Sequence, residues 1–427
     1  MQKPSWVGLA AAESHKGEDR YSSLLKDRLY GFGLFDGHGG PDCATHCASR
    51  EAEGILPQVL SGSHLPTHET IADAFWTADA VCGPVMAARG KKEGLKKGGH
   101  AGSTATILLV EALPGKKEQA ADATADAASP NKKGKQKSGG FKCLFAWVGD
   151  STALAVNMSN GQICSQTINH TPDQPIEASN LKLMSAAGKQ LKKVAARGRR
   201  PSVMIREAEA AAVANGGVAA DEEEEEEEEV EEEAVTLAHV GAALKRAGVV
   251  PSDTCPQELL LRAFEREQLI FKSIPKGRKY RHNAVIMNRP AANDENMPLV
   301  CATHEDPYSS HYRDLLMTRS ICDWTKSSWV LPHPDVVHFD VAHGKHVRTV
   351  LASDGLWDIC SADEAAAILK SAPTPQKAAD ELLEIAKRVY QGERGLEKMG
   401  DDTTIMVVDL MPGGKAAAGS ASSCALS

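Results

Sequence analysis

Apolar residues in this chain gather into short β-type runs that stop abruptly at an acid. Phe32-Gly33-Leu34-Phe35 ends on Asp36, and Leu144-Phe145-Ala146-Trp147-Val148 ends on Gly149-Asp150. Val350-Leu351-Ala352-Ser353 ends on Asp354 in the same way. Gly400-Asp401-Asp402-Thr403-Thr404 leads the other way, into Ile405-Met406-Val407-Val408. Each run has the length and composition of a strand bounded by turn residues. Between them lie helical patterns. Ile71, Ala74, Phe75, Ala78, Val81, Cys82 and Val85 sit at a spacing that predicts a helix with one buried face. Ser361-Ala362-Asp363-Glu364 has the form of a capping box, residues 376–391 predict an amphipathic helix, and Pro256 to Glu267 carries a further helical pattern. Strands in runs, with helices between hairpins and no regular β-α alternation, predict an α+β fold.

A carboxylate at the end of a strand has two common uses. It can form a turn or cap a helix, and Gly40-Pro41 just beyond Asp36 is a good helix start. It can also point into a site, where the bare backbone of Gly37, Gly39 and Gly40 lets carbonyls and a ligand approach. Hard divalent cations take that mixture of carboxylate and carbonyl oxygens. One such acid decides nothing. Four of them at strand ends, with Glu18-Asp19 near the N-terminus, suggest a shared carboxylate cluster, and bound cations are the natural remedy for its self-repulsion.

The chain has 427 residues and is 42% hydrophobic, enough for a substantial core. No apolar run approaches the roughly 20 residues needed to span a bilayer, and Met1-Gln2-Lys3-Pro4-Ser5 reads as neither signal peptide nor myristoylation site. Ten scattered cysteines without a Cys-x-x-Cys pair fit reduced thiols in a cytoplasmic or nuclear compartment. Cys43 and Cys47 flank His46 on an expected helix, a pattern open to zinc binding or to ordinary packing.

The net charge of −9 is concentrated in one place: Asp221, Glu222 to Glu229 and Glu231 to Glu233 hold 12 negative charges, which leaves the rest of the chain at +3. That tract sits in an expected charged insertion over 185–299, which opens basic at Lys189, Lys192, Lys193, Arg197, Arg199 and Arg200. A shorter flexible insertion is expected over 113–140 and a flexible tail over 413–427, so that 1–412 forms one interrupted domain. The basic group Lys276, Arg278, Lys279 and Arg281 is too short and aromatic-poor to imply nucleic acid.

Taken in order, these motifs resemble the metal-dependent Ser/Thr protein phosphatases of type 2C. Gly17-Glu18-Asp19-Arg20 is similar to the first acidic motif and Asp36-Gly37-His38-Gly39-Gly40 to the second. Gly102-Ser103-Thr104-Ala105, Val148-Gly149-Asp150-Ser151, Thr318-Arg319-Ser320-Ile321-Cys322-Asp323, Ser353-Asp354-Gly355-Leu356-Trp357-Asp358 and Asp401-Asp402-Thr403-Thr404 follow. The resemblance implies an antiparallel β-sandwich flanked by helix pairs, a four-layer α-β-β-α arrangement carrying two low-complexity insertions. It implies two Mg²⁺ or Mn²⁺ ions, with Asp36 bridging both, the Gly37 carbonyl on one, and Glu18, Asp354 and Asp401 on the other. Asp150 resembles a looser third-metal position and Asp19 an outer partner. His38 resembles the general acid that protonates the leaving Ser or Thr oxygen while a metal-bridged water attacks phosphorus, with no phosphoenzyme intermediate. Phosphoprotein substrates and a monomeric enzyme are expected.

Three positions depart from the family's pattern. Ser14 stands where an Arg commonly grips the substrate phosphate, leaving Lys16 or Arg20 as substitutes. Cys322 replaces a usual Gly, and Asp402 a usual Asn. The missing Arg keeps a second reading open, a pseudophosphatase scaffold on the same fold. Arg199-Arg200-Pro201-Ser202 has the shape of a basophilic kinase site, and Cys424-Ala425-Leu426-Ser427 that of a farnesylation box giving weak membrane association.

Overall fold

A computed structural model describes residues 6–92, 101–114, 139–181, 285–288, 299–302, 314–323, 330–393, 395 and 399–412, with 259, 261–263 and 265–266 on a helix. The Glu tract, Ser202 and the Cys424 box lie outside the described residues, as do most of both expected insertions.

Strand-forming runs appear where the pattern places them. In chain order they are β1 (Val7–Ala12), β2 (Arg20–Lys26), β3 (Leu29–Phe35), β4 (Gly37–His38), β5 (Gly102–Ser103), β6 (Ala105–Leu113), β7 (Gly140–Val148), β8 (Thr152–Asn157) and β9 (Ile163–Gln166). They continue with β10 (Val285–Asn288), β11 (Leu299–Ala302), β12 (Asp314–Leu315), β13 (Asp335–Ala342), β14 (Val347–Ala352) and β15 (Thr403–Leu410). Ten of these build two five-stranded sheets, ordered β1-β15-β14-β8-β9 and β13-β7-β6-β3-β2. Neighbours in both sheets pair antiparallel.

The sheets pack face to face, and the period of two sorts each strand between two cores. Phe32, Leu34, Leu108, Val110 and Phe145 of one sheet meet Ala153, Leu351, Met406 and Val408 of the other. The opposite faces are covered by helices. Leu29, Phe35, Ile107 and Leu109 pack under α1 (Asp42–Cys47), α2 (Ile55–Val59) and α3 (His68–Lys92). Val350, Ala352, Ile405 and Val407 pack under α4 (Asp354–Trp357), α5 (Ala362–Ser371) and α6 (Pro375–Lys387). Four layers result, α-β-β-α. Strands buried on both faces lose the apolar-polar alternation, which is why β14 and β15 are buried along their whole length.

The helices start where the sequence says. Ser361 accepts from the Glu364 amide while Glu364 reaches back to the Ser361 amide, so the expected capping box forms. The expected helix over 376–391 is α6, which begins at Pro375 and passes into a π-helical turn over Arg388–Glu393. Gln376 on α6 clamps the edge strand β1, accepting from the Leu9 amide and donating to its carbonyl. In α3 the reading is half right. Ile71, Ala74, Phe75, Ala78 and Cys82 are buried, but Val81 and Val85 are 45% and 47% exposed. The second buried flank runs instead through Ala72, Trp76 and Asp79. Arg262 lies over the Trp76 ring at 4.7 Å, and Arg266 forms a buried ion pair with Asp79. Val81 falls outside because partners for α3 come from a segment distant in sequence.

One buried cation ties the C-terminal helix layer to its sheet. Arg348 on β14 pairs bidentately with Asp409 on β15 and donates to the carbonyls of Leu369 and Ala372 at the end of α5. Removing the guanidinium leaves those acceptors and a carboxylate buried. Arg348→Ala is expected to lower the unfolding free energy by about 3–5 kcal/mol, measured by urea denaturation.

Candidate active site

Because β3, β7 and β14 end, and β2 and β15 begin, at one rim of the sandwich, their terminal acids arrive together. Register fixes this: Arg20 faces Phe35, Thr106 faces Trp147 and Leu34, and Ala352 faces Ile405. Asp36, Asp150 and Asp354 follow strand ends directly, while Glu18-Asp19 and Asp401 precede strand starts. Asp19, Asp36, Asp150, Asp354 and Asp401 are therefore placed in one cluster, with Asp358 on the turn after α4 adding a further carboxylate beside Asp354 and Asp150; the Glu18 carboxylate accepts from the Gly40 amide and acts on Lys16. Within its motif Asp358 carries no signal of that role.

The cluster is crowded and poorly hydrated. Burial, then the charges of Asp354, Asp19 and Asp150, hold Asp36 well above the ordinary carboxylate range. Burial, then Asp150, Asp401 and Asp358, do the same to Asp354. Asp19 and Asp150 are each pushed up to about 6, chiefly by burial. One oxygen of each, Oδ1, is buried without a hydrogen-bond partner. Asp19 is otherwise held by the Ser353 hydroxyl at 2.8 Å. Gathered carboxylates, two of them with a buried oxygen that lacks a donor, are the environment a hard divalent cation satisfies, and these residues fit such an ion. The bare backbone is needed as well. A Cβ on Gly37 would stand 2.8 Å from the Glu18 carbonyl, so the two acidic motifs touch through main chain.

Two basic residues near the acids have different employment. Lys16 donates to both oxygens of Asp401, at 2.8 and 2.6 Å. Desolvation works against its charge, but Asp401, Asp354 and Glu18 outweigh that and raise its pKa. Arg20 turns to its own loop, donating to the carbonyls of Gly17 and Asp19 and to the Thr45 hydroxyl. Lys16 alone of the two touches a cluster acid through its side chain. Asp402 also finds an explanation. Its two oxygens accept from the amides of Ser14 at 2.6 Å and Glu18 at 2.5 Å. Burial opposes its ionisation, yet the amides of Glu18, Ser14 and Gly17 hold it below the usual range. An Asn has one acceptor oxygen and a donor in the other's place, so it cannot receive the two amides on separate atoms as Asp402 does.

The His38 ring lies near enough to Asp150 for its charge to lower that acid's pKa, against the larger effect of burial. Its Nε2 lies 2.7 Å from Oδ2 of Asp323, whose side chain is inaccessible to solvent. The Ser320 hydroxyl donates to the same oxygen. Asp323 thus fixes the ring, a partner 285 residues away whose role no motif in the sequence announces. Its segment is itself anchored. Arg319 pairs with Glu177 and Asp335, Thr318 donates to Glu177, and the Thr318 amide reaches the His170 carbonyl. Glycine keeps the space: a Cβ on Gly102 would overlap His38 Nε2 and stand 2.5 Å from Asp323 Oδ2. Gly102→Ala is accordingly expected to separate the pair, read as changed His38 ring chemical shifts by NMR with the fold retained.

The acid cluster predicts a second outcome. Protons compete with cations for Asp19 and Asp150 up to about pH 6. These raised carboxyls bind more protons folded than unfolded, so in metal-free protein they cost stability as pH rises through that window. The increase in melting temperature on adding Mn²⁺ should therefore grow from pH 5 to pH 7. Comparing samples with and without metal at each pH cancels the opposite contribution of His170 and His333, whose pKa values burial lowers.

Comparison with known proteins bears on one segment and on the fold. The Protein phosphatase 2C family model matches residues 309–393. "Probable protein phosphatase 2C 48" of Oryza sativa subsp. japonica is 38% identical over 81 residues, 19% of this chain and 23% of that protein. "Probable protein phosphatase 2C 12" of Arabidopsis thaliana is 36% identical over 106 residues, 24% of this chain and 22% of that protein. The chain thus spans under a quarter of the length of these curated relatives. The fold as a whole is similar to a serine-threonine phosphatase 2C from Toxoplasma gondii, with a TM-score of 0.50, 15% identity, and coverage of 95% of this chain and 93% of that one. Motifs, matched segment and sandwich architecture converge: residues 309–393 and the fold as a whole are similar to those of the type 2C protein phosphatases.

Proposed function

We propose that this chain hydrolyses phosphoserine and phosphothreonine esters on proteins, using two Mg²⁺ or Mn²⁺ ions held at the rim of the sandwich. The observation that carries the reading is the gathering of mutually repelling carboxylates from both sheets at one rim. Asp36, the Gly37 carbonyl, Glu18, Asp354 and Asp401 are the proposed ligands, Asp150 the outer third-metal ligand, and Asp19 a supporting acid. When bound, the cations supply an activated water and neutralise charge on the phosphoryl oxygens.

The chain's own residues supply the rest. His38 gives a proton to the departing Ser or Thr oxygen, and Asp323 holds the imidazole so that one nitrogen faces the substrate. Lys16 takes the part that Ser14 leaves unfilled. With a cation on Asp401, its ammonium is released from that carboxylate and meets the substrate phosphate as a point charge. Neither Cys nor Ser is required as a nucleophile. The rival reading, a binding scaffold without turnover, draws on the same ion pair, since Lys16 already neutralises one proposed metal ligand.

The deciding experiment is phosphopeptide hydrolysis titrated with Mn²⁺ and Mg²⁺. Metal-dependent turnover that disappears in Asp36→Asn supports the enzyme; no turnover at millimolar metal from folded protein supports the scaffold. His38→Ala should lose activity on phosphopeptides by roughly 10²- to 10⁴-fold, the worth of general acid catalysis, while retaining more on an aryl phosphate whose leaving group needs no proton. Lys16→Ala should raise KM for phosphopeptide and lower the Mn²⁺ concentration giving half-maximal rate.

A further inference from the structure

Behind the His38–Asp323 pair lies a second cluster that the phosphatase reading does not use. Cys43 on α1, Cys82 on α3 and Cys322 beside Asp323 place their sulfurs within 4.8 Å of one another, all buried. Cys47 is buried one turn beyond Cys43, and His46 stands between them with its Nε2 buried and without a hydrogen-bond partner. These residues come from three segments far apart in sequence.

Buried cysteines usually serve as small apolar residues, and these pack within the helix-side core. Cys322 argues against that as the whole account. Its φ is +72°, in the left-handed region, where a side chain costs about 1–2 kcal/mol relative to glycine. A position that only needed filling would be better served by glycine, the residue its motif usually carries there. What Cys322 adds is a thiol aimed at two others. Its amide is fixed by Asp79 Oδ1 at 2.8 Å, so the strained backbone is held in place. The Cys43 thiol donates to the Ile321 carbonyl at 3.6 Å, and the neighbouring thiols of Cys322 and Cys43 lower the pKa of Cys82.

We propose that Cys43, Cys82 and Cys322 bind a zinc ion, with the fourth ligand supplied from α1 by His46 or Cys47. Zinc–sulfur bonds of about 2.3 Å set sulfurs about 3.8 Å apart in a tetrahedron, a small contraction of the cluster as it stands. Binding releases the thiol protons, and the ion sits in a closed, buried position of the structural kind. It would pin α1, α3 and the 318–323 segment together.

The test is independent of phosphatase activity. Protein purified under reducing conditions is assayed for metal content, then loaded with Co²⁺ in place of zinc. The expected result is one zinc per chain and a cobalt form with thiolate-to-metal charge-transfer absorption. Cys322→Gly, which suits the backbone and should fold, is expected to weaken cobalt binding at least about 100-fold, more than the loss of an outer-shell partner gives. Asp36→Asn should keep both signals. Absence of zinc and of the thiolate band in reduced wild-type protein overturns the proposal. So does a band undiminished in Cys322→Gly, or zinc lost in Asp36→Asn.

Discussion

Buried carboxylates facing one another are the constraint on which this structure turns. Beyond burial, the charge of Asp354 raises the cost of ionising Asp36, and those of Asp150, Asp401 and Asp358 raise the cost of ionising Asp354. Left alone, they would hold protons or push the sheets apart. Delivery by strand ends makes that crowding rigid, because β3, β7, β14 and β15 are buried on both faces and cannot yield. The sandwich therefore stores a demand for positive charge at one rim, and Lys16 meets only its outermost part, at Asp401.

Supporting bonds show how the demand is kept local. Ser353, between β14 and Asp354, donates to Asp19 and accepts from the Thr404 amide, so one hydroxyl links three motifs. Asp402 answers a different need. It remains ionised because it gathers amides from the Ser14–Glu18 loop, holding Glu18 toward the Gly40 amide it accepts from. Of two adjacent aspartates, one serves the loop and the other faces the cluster.

Much of this is legible in the sequence because the signals are local. An apolar run that stops at Asp36 or Asp354 names both a strand and the residue it presents, and Ser361 to Glu364 states its own helix start. What escapes is set by tertiary pairing. Asp323 lies 285 residues from His38. Val81 matches the helical period of α3 yet faces outward, since Asp79 and Trp76 find partners in a distant helix. Asp402 reads in the sequence as a substitution beside the cluster, because its role depends on loop amides whose direction no local pattern gives. Cys43 with His46 is a visible pattern open to two readings; its thiol partners on α3 and at Cys322 emerge only from the fold.

Arg319 and Cys322 of the 318–323 segment then have a common logic. Arg319 ties its start to Glu177 and Asp335, and Cys322 ties its end to the thiols of α1 and α3. Asp323 follows immediately, its orientation inherited from both anchors. A general acid works only if its proton is aimed, and a histidine on a two-residue strand between glycines has little stiffness of its own. The aim of His38 is therefore borrowed from a segment that is itself held at each end. In the proposed reaction, that places the proton donor under the control of the 318–323 segment, while the carboxylates depend on the sheets.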